Sequence, residues 1–469
     1  MLYEPTATVG SSVVNLVKTI VGAGLFAIPY AYKNDGVLVG LLLTSLAAVT
    51  SGLGLLILAK CSKTLINPRN SSFFTICMLT YPSLAPLFDL AMVVQCFGVG
   101  LSYLVLVGDL FPGLFGGDRN AWIVGSAAIV VPLCSLKKLD SLKYSSIIGM
   151  LALFYLSLLI GFRFVKDVVI APEINFDRGE ISWYHVYDLK GLLSTFSIII
   201  FAYVGAMNMF TIVNELKDNS MNNIRIVVNR SLALSSILFV FVGLFGYFTF
   251  GSKTMGNILL NYNPEFKSVT VGKFCLGGML ILTFPLLFHP LRTAVNNIVE
   301  WSILTFNGIK ERESTRSQNE VTNASPIDLI IDDEEIEEAE SDPLLGSDIE
   351  VEQAHHNTHR GGLNGVDHDI SFPETRFYII SFLLLLAMYT LALRVESFAL
   401  VLALVGSTGS TAISFILPGL FGYKLIGTDV LAVGHVLTTE DRFYRKVSVL
   451  LIYFGFAVMI LSLYVTLKF

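Results

Sequence analysis

The sequence predicts an all-α polytopic membrane protein with about eleven transmembrane helices. Three observations lead there. The chain is 54% hydrophobic and only 14% charged, whereas soluble domains carry about 25% charged residues. Its 469 residues, at a mean hydropathy of +0.68, hold more apolar surface than one soluble core absorbs, since single cores stop growing near ~250–300 residues. The apolar residues also fall in runs of about 20, the length at which a helix spans the hydrocarbon layer.

In chain order the runs are 11–33, 37–59, 84–110, 121–136, 143–165, 190–213, 229–250, 269–290, 374–394, 397–422 and 446–467. The fourth is short and meets Pro132, and losing it would invert every later loop. The opening "MLYEPTATVG" has no basic n-region and no cleavage site, so the first run is expected to direct insertion itself. Lys and Arg in the short loops favour a cytosolic N-terminus and a luminal C-terminus: Lys60, Lys63, Arg69, Lys137, Lys138, Lys143, Lys217, Arg225, Arg230, Lys424, Arg442, Arg445 and Lys446 then face the cytosol. The sequons at Asn70, Asn229 and Asn323 fall on the same side, where no glycosylation is expected.

This divides the chain into helices one to eight over 1–306, a polar segment over 307–373, and helices nine to eleven over 374–469. The polar segment includes "IDLIIDDEEIEEAESDPLL" and holds much of the acid behind the net charge of −6. It has too little apolar surface to fold on its own, so it is expected to be a disordered cytosolic loop. Within it Glu340, Leu344 and Leu345 form an acidic residue, three spacers and two leucines. That pattern resembles the acidic dileucine signal read by clathrin-type adaptors, although it is short enough to arise by chance. His355, His356 and His359 read as solvated rather than as a metal site. The five cysteines are scattered without metal spacing, so neither a metal nor a cofactor is expected.

The informative stretch is "TIVGAGLFAIPY", Thr19 to Tyr30. Inside a bilayer every backbone group needs a partner, so a helix breaks only where it lines a cavity or is wrapped in protein. Gly22, Ala23 and Gly24 let the chain unwind, and Pro29 lacks a donor. A second interruption lies in the sixth run, "STFSIIIFAYVGAMNMF", around Gly205 with Tyr203 and Asn208. Five runs separate the two breaks, an odd number, so the two halves would run in opposite directions. This is the spacing of two inverted five-helix repeats with a site at their interface. Amides freed near Thr19, Gly22, Ala23 and Gly24 suit a carboxylate. Carbonyls freed at Phe201, Ala202, Tyr203 and Val204 suit an ammonium group. Together they fit an α-amino acid. The competing reading is packing, for which Gly and Pro are common in membrane helices, and Gly36-x-x-x-Gly40 is read that way. The match of Gly22 onward to G-x-G-x-x-A has no preceding strand and carries no dinucleotide site.

"NLVKTIVGAGLFAIPYAYKNDG", "FSIIIFAYVGAMNMFTIVNELKD" and "FPLLFHPLR" resemble the first, sixth and eighth spans of the amino acid/auxin permease family. Within it they are most similar to the exporting branch of the fungal vacuolar amino acid transporters. The resemblance implies a LeuT-like arrangement of eleven helices and proton-linked movement of amino acids across the vacuolar membrane. It further implies neutral substrates such as glutamine, carried from lumen to cytosol. Sodium-coupled members carry an asparagine four residues before the first glycine of the break, where this chain has Lys18. Its ammonium either replaces sodium and takes part in coupling or snorkels to the near interface.

Gln95, Tyr103, Thr283, Ser407 and Thr408 are further polar groups within the runs, expected mainly to bond helix backbone. Asp89, Asp109, Glu215, His289 and Glu396 fall near run ends. An enzyme would need converging acid, base or nucleophile at depth, and a channel would need a filter-like repeat or charged rings. Neither is present in the pattern, and nothing basic suggests nucleic acid. A transport-less amino acid sensor with the same site is the alternative to a transporter.

Overall fold

The computed structural model describes residues 5–65, 67–135, 143–170, 179–184, 189–263, 265–322, 373–428 and 437–468. The chain divides into two compact units, Met1–Val299 with Ser371–Phe469, and Glu300–Ile370. The first unit is a bundle of helices. They are α1 (Val9–Ile20), α2 (Ile28–Asp35), α3 (Val37–Lys63), α4 (Phe73–Thr80), α5 (Ala85–Leu110), α6 (Pro112–Phe115), α7 (Arg119–Cys134), α8 (Lys143–Phe164), α9 (Leu189–Ala202) and α10 (Met209–Glu215). There follow α11 (Met221–Phe250), α12 (Lys267–Thr322, of which 267–299 belong to this unit), α13 (Glu374–Arg394), α14 (Phe398–Val405), α15 (Leu417–Leu425) and α16 (Thr439–Leu467).

Among the described residues eight segments are long and apolar enough to cross a membrane, and the bent pair Val9–Ile20 with Ala23–Asp35 makes a ninth. Two further runs expected from the sequence are also helical: the shorter apolar α7, which contains Pro132, and the 22-residue α8. The polar segment that opens at 307 begins within α12. α12 continues to Thr322, and within this stretch Lys310, Glu311, Arg312 and Glu313 are good helix formers. Glu340, Leu344, Leu345 and the three histidines lie outside the described residues.

Burial separates inner from outer spans. The apolar windows of Lys190–Glu215 and Phe398–Leu425 are 83% and 78% buried, while those of α13 and α16 are 33% buried. The outer helices show large side chains such as Phe382, Leu450 and Tyr453 on the surface. A lipid-facing helix needs no protein cover there, because hydrocarbon is as apolar as leucine.

Local chemistry sets the ends of the elements near the site. Thr8 starts α1 with a capping box, its Oγ1 accepting from the Ser11 amide while Ser11 Oγ accepts from the Thr8 amide. Pro29 stands in the first turn of α2, where its missing donor costs nothing, so it starts a helix rather than breaking one. Gly36 ends α2 at φ 79°, a conformation glycine adopts without a Cβ penalty, and its amide donates to Tyr32 O. Gly40 lies against the Tyr32 ring, where a Cβ would sit 2.5 Å from Cδ1, so Gly40 serves packing as expected, while Gly36 serves the turn.

The end of the bundle that carries the N-terminus is fastened by polar links. Ala7 pairs with Leu216 as a single parallel bridge. Arg69 donates to the carbonyls of Asn214, Leu216 and Lys217 at 2.9–3.2 Å, covering the last turn of α10. Lys60 pairs with Asp441 at 2.7 Å and Arg225 with Glu440 at 2.9 Å, linking α3, α11 and α16.

Candidate functional site

The two interruptions expected from the sequence are present and pack on each other. α1 stops at Ile20, and Val21 and Gly22 are extended. A 3-10 turn over Ala23–Ala27 then leads into α2, bent by 50° from α1. α9 stops at Ala202; Tyr203, Val204 and Gly205 are non-helical, and a 3-10 turn over Ala206–Asn208 leads into α10. A Cβ on Gly24 would stand 3.1 Å from Ala202 and 3.2 Å from Phe201. A Cβ on Gly205 would stand 3.0 Å from Ile20 and 3.1 Å from Leu16. Each break is therefore laid against the helix end of the other, which only small residues permit.

The first break leaves donors free. Leu25 is the first residue beyond it whose amide closes a turn, donating to Gly22 O at 3.1 Å. Among the described residues the Gly22, Ala23 and Gly24 amides precede it with no main-chain acceptor, as the first turn of a helix requires. A Cβ on Gly22 would meet nothing within 4 Å. The row of free amides thus opens at Gly22, where there is space at the positive end of a helix, a place suited to a carboxylate.

The carbonyl side is narrower than the sequence suggests. Tyr203 O accepts from Ser51 Oγ at 2.8 Å, and Phe201 O accepts from the Val204 amide at 3.3 Å. Of the four carbonyls, those of Ala202 and Val204 have no donor among the described residues. The Tyr203 hydroxyl donates to Ser236 Oγ at 2.8 Å, and its ring meets Phe239 edge-on. Its hydroxyl and ring are thus committed to α11.

Asn208 joins the two broken spans. Its Nδ2 donates to Asn15 Oδ1 and to Thr19 Oγ1, both at 3.1 Å. Asn15, Lys18, Thr19 and Asn208 are all half-buried. Lys18 stands in the last turn of α1, where a cation complements the carbonyl end of the helix. Among the described residues its Nζ has no hydrogen-bond or ion-pair partner. Asn208→Ala removes two links worth about 1 kcal/mol each. Amino acid uptake by the reconstituted variant should fall about tenfold, with a modest loss of thermal stability.

Three features were not read from the sequence. Asn15 was passed over beside Lys18. In the tenth span, Gly406–Ser410 and Ala412–Ile416 are π-helical, and Thr411 Oγ1 donates to Gly406 O at 2.6 Å. Ser410 Oγ donates to Gln95 Oε1 at 2.8 Å, joining this span to α5. Such π-turns gather at functional sites. Ser407, Thr408 and Thr283 bond carbonyls of their own helices, as expected. Finally, Asp35 is fully buried against Thr195 of α9. Glu396 is exposed.

The residues 5–468 match the family model for transmembrane amino acid transporter proteins. The chain is 56% identical to Vacuolar amino acid transporter 7 of Saccharomyces cerevisiae, over 99% of this chain and 98% of that one. It is 34% identical to Vacuolar amino acid transporter 6 of the same yeast, over 98% and 99%. It is 30% identical to Vacuolar amino acid transporter 5 of Schizosaccharomyces pombe, over 97% and 93%. Its relatives are named as transporters rather than as enzymes, and a match along nearly the whole chain places it in the transmembrane amino acid transporter family.

Proposed function

We propose that the protein is a proton-coupled secondary transporter that moves neutral amino acids, of about the size of glutamine, from the vacuolar lumen to the cytosol. The observation that carries this reading is the row of unpartnered amides at Gly22, Ala23 and Gly24, open at Gly22, with the free Ala202 and Val204 carbonyls on the facing break. Two backbone poles of opposite sign match the two charged groups of an amino acid. The vacuolar names of the similar fungal proteins support the membrane and the substrate class.

In this reading spans one to five and six to ten are inverted repeats of a LeuT-like fold, with span eleven added. Rocking of one set against the other gives alternating access. The N-terminus is cytosolic and the C-terminus luminal. Glu340, Leu344 and Leu345 address the protein to the vacuole through a clathrin-type adaptor. One proton moving down about two pH units releases roughly 2.7 kcal/mol, which supports about a hundredfold amino acid gradient.

The test is flux in liposomes under a pH gradient without sodium, with a panel of labelled amino acids. Neutral amino acids should move with the protons and stop when the gradient is collapsed. Substrate-dependent protection from heat without any flux would overturn transport in favour of a sensor. In the same assay Lys18→Ala should lose the response to the proton gradient. An unchanged response would remove Lys18 from coupling and leave it as an interfacial anchor.

A further inference from the structure

Asp35 is the last residue of α2, and its carboxyl is 0% exposed. Both oxygens lie on the Thr195 hydroxyl, at 2.7 and 2.9 Å. The same hydroxyl lies 2.9 Å from Gly191 O and 3.0 Å from Leu192 O. A hydroxyl carries one proton. With Asp35 ionised, that proton faces two carboxylate oxygens and two carbonyls and can serve only one of these groups well. With Asp35 neutral there are two protons. Asp35 then donates to Thr195 Oγ1, and Thr195 donates back to the carbonyl of Gly191 or Leu192. The observed cluster therefore fits a protonated carboxyl, and rotation of one hydroxyl lets it accommodate loss of that proton.

The surroundings point the same way. Asp109, Asp167 and Asp441 each have an arginine or lysine within 3.5 Å, whereas Asp35 has none among the described residues. The carbonyl end of α2 opposes a negative charge at its last residue. Among the described residues the titratable groups on the elements packed around α2 are otherwise engaged or distant. Lys33 on the same helix donates to Thr254 O at 3.1 Å, and Tyr32 bonds Thr44. On α9, Lys190 is exposed, and just beyond the helix the Tyr203 hydroxyl is held by Ser236. On α11, Tyr247 accepts from the Ser182 amide, while Arg225 and Arg230 sit at the opposite end. In the segment before α9, Glu180 and Tyr184 are exposed. The near half of α3 supplies Thr44 and no charge, its lysines Lys60 and Lys63 lying at its far end.

Asp35 also sits where a proton can be felt by the amino acid site. α2 is the half of span one beyond the first break, and α9 is the half of span six before the second. Asp35 and Thr195 join these halves, while Asn208 joins α1 to the start of α10. We propose that Asp35 is the binding site for the transported proton, with Thr195 as its partner, so that gaining or losing the proton changes how the two broken spans are held together. This rests on the proton-coupled reading above.

The experiment compares wild type, Asp35→Asn and Thr195→Ala in liposomes, after confirming monodisperse elution of each. Wild type should accumulate neutral amino acid under a pH gradient. If it transports without responding to pH, the coupled reading itself fails, and Asp35 is not at issue. With wild type coupled, Asp35→Asn should lose gradient-driven accumulation by about tenfold or more, and its exchange rate should no longer vary between about pH 5 and pH 8. Coupled accumulation by Asp35→Asn at the wild-type level would overturn the proposal. Thr195→Ala keeps the carboxyl and decides the matter if Asp35→Asn does not fold. Its uptake should remain coupled with a pH midpoint moved by about one unit, the equivalent of one hydrogen bond. An unmoved midpoint would mean that the pair only packs the helices.

Discussion

Replacing Gly22 with leucine should abolish amino acid binding and uptake while leaving a folded protein. The backbone there, at φ −127° and ψ −153°, is extended and open to any L-residue. A Cβ at this position meets nothing within 4 Å, so the new side chain has room at its root and costs the fold less than about 1 kcal/mol. Its remaining carbons extend from there into the space beside the Gly22 amide. A carboxylate displaced by even about 1 Å from the freed amides loses on the order of a hundredfold in rate. Uptake in liposomes should fall to leakage, and added substrate should no longer raise the melting temperature. Gly24→Ala is the contrasting variant. Its Cβ would press on Ala202 and Phe201 at 3.1 and 3.2 Å, so stability and uptake should fall together. Normal uptake by Gly22→Leu would mean that the break is a packing feature and that substrate binds elsewhere.

The breaks were legible because unwinding within a bilayer needs glycine, and glycine in an apolar run is visible in a single sequence. What each break touches was not. Phe201 to Val204 were read as four free carbonyls, but Ser51 reaches Tyr203 O from a residue 152 positions away. No local pattern encodes that pairing. The Tyr203 side chain is drawn away from the break as well, its hydroxyl bonded to Ser236. Asp35 was missed for a different reason. "KNDG" reads as a polar turn between two spans, and only the packing of α9 over α2 makes its aspartate a buried group. Asn15 lay one turn from Thr19 on a helix face that acquires meaning only once Asn208 is brought to it. The polar "GSTGST" was noticed for its hydroxyls, which mostly bond their own helix. Its glycines matter more, and their role depends on which helix lies against them.

That dependence gives the second large effect, expected for Gly406→Ala. A Cβ at Gly406 would overlap the carbonyl oxygen of Ser197 and press on Phe201 Cβ at 3.3 Å. The obstacle is main chain in the middle of α9, a fully buried stretch, so no side-chain rotation relieves it. α14 and α9 must move apart, or the π-turn over Gly406–Ser410 must rewind. Either change reaches the proposed amino acid site, because α9 ends at Ala202 against Gly24. Overpacking of this kind costs about 3 kcal/mol. The variant should lose several degrees of thermal stability and much of its monodisperse yield. Gly409→Ala, pressed against the Gln95 main chain at 2.7 Å, should behave alike. The readout separates two roles for the tenth span. If Gly406→Ala keeps its melting temperature yet stops transport, the close approach is one the protein leaves during its cycle, and the glycine serves motion. If both fall, Gly406 is needed simply to bring the tenth span close enough to hold the sixth against the first.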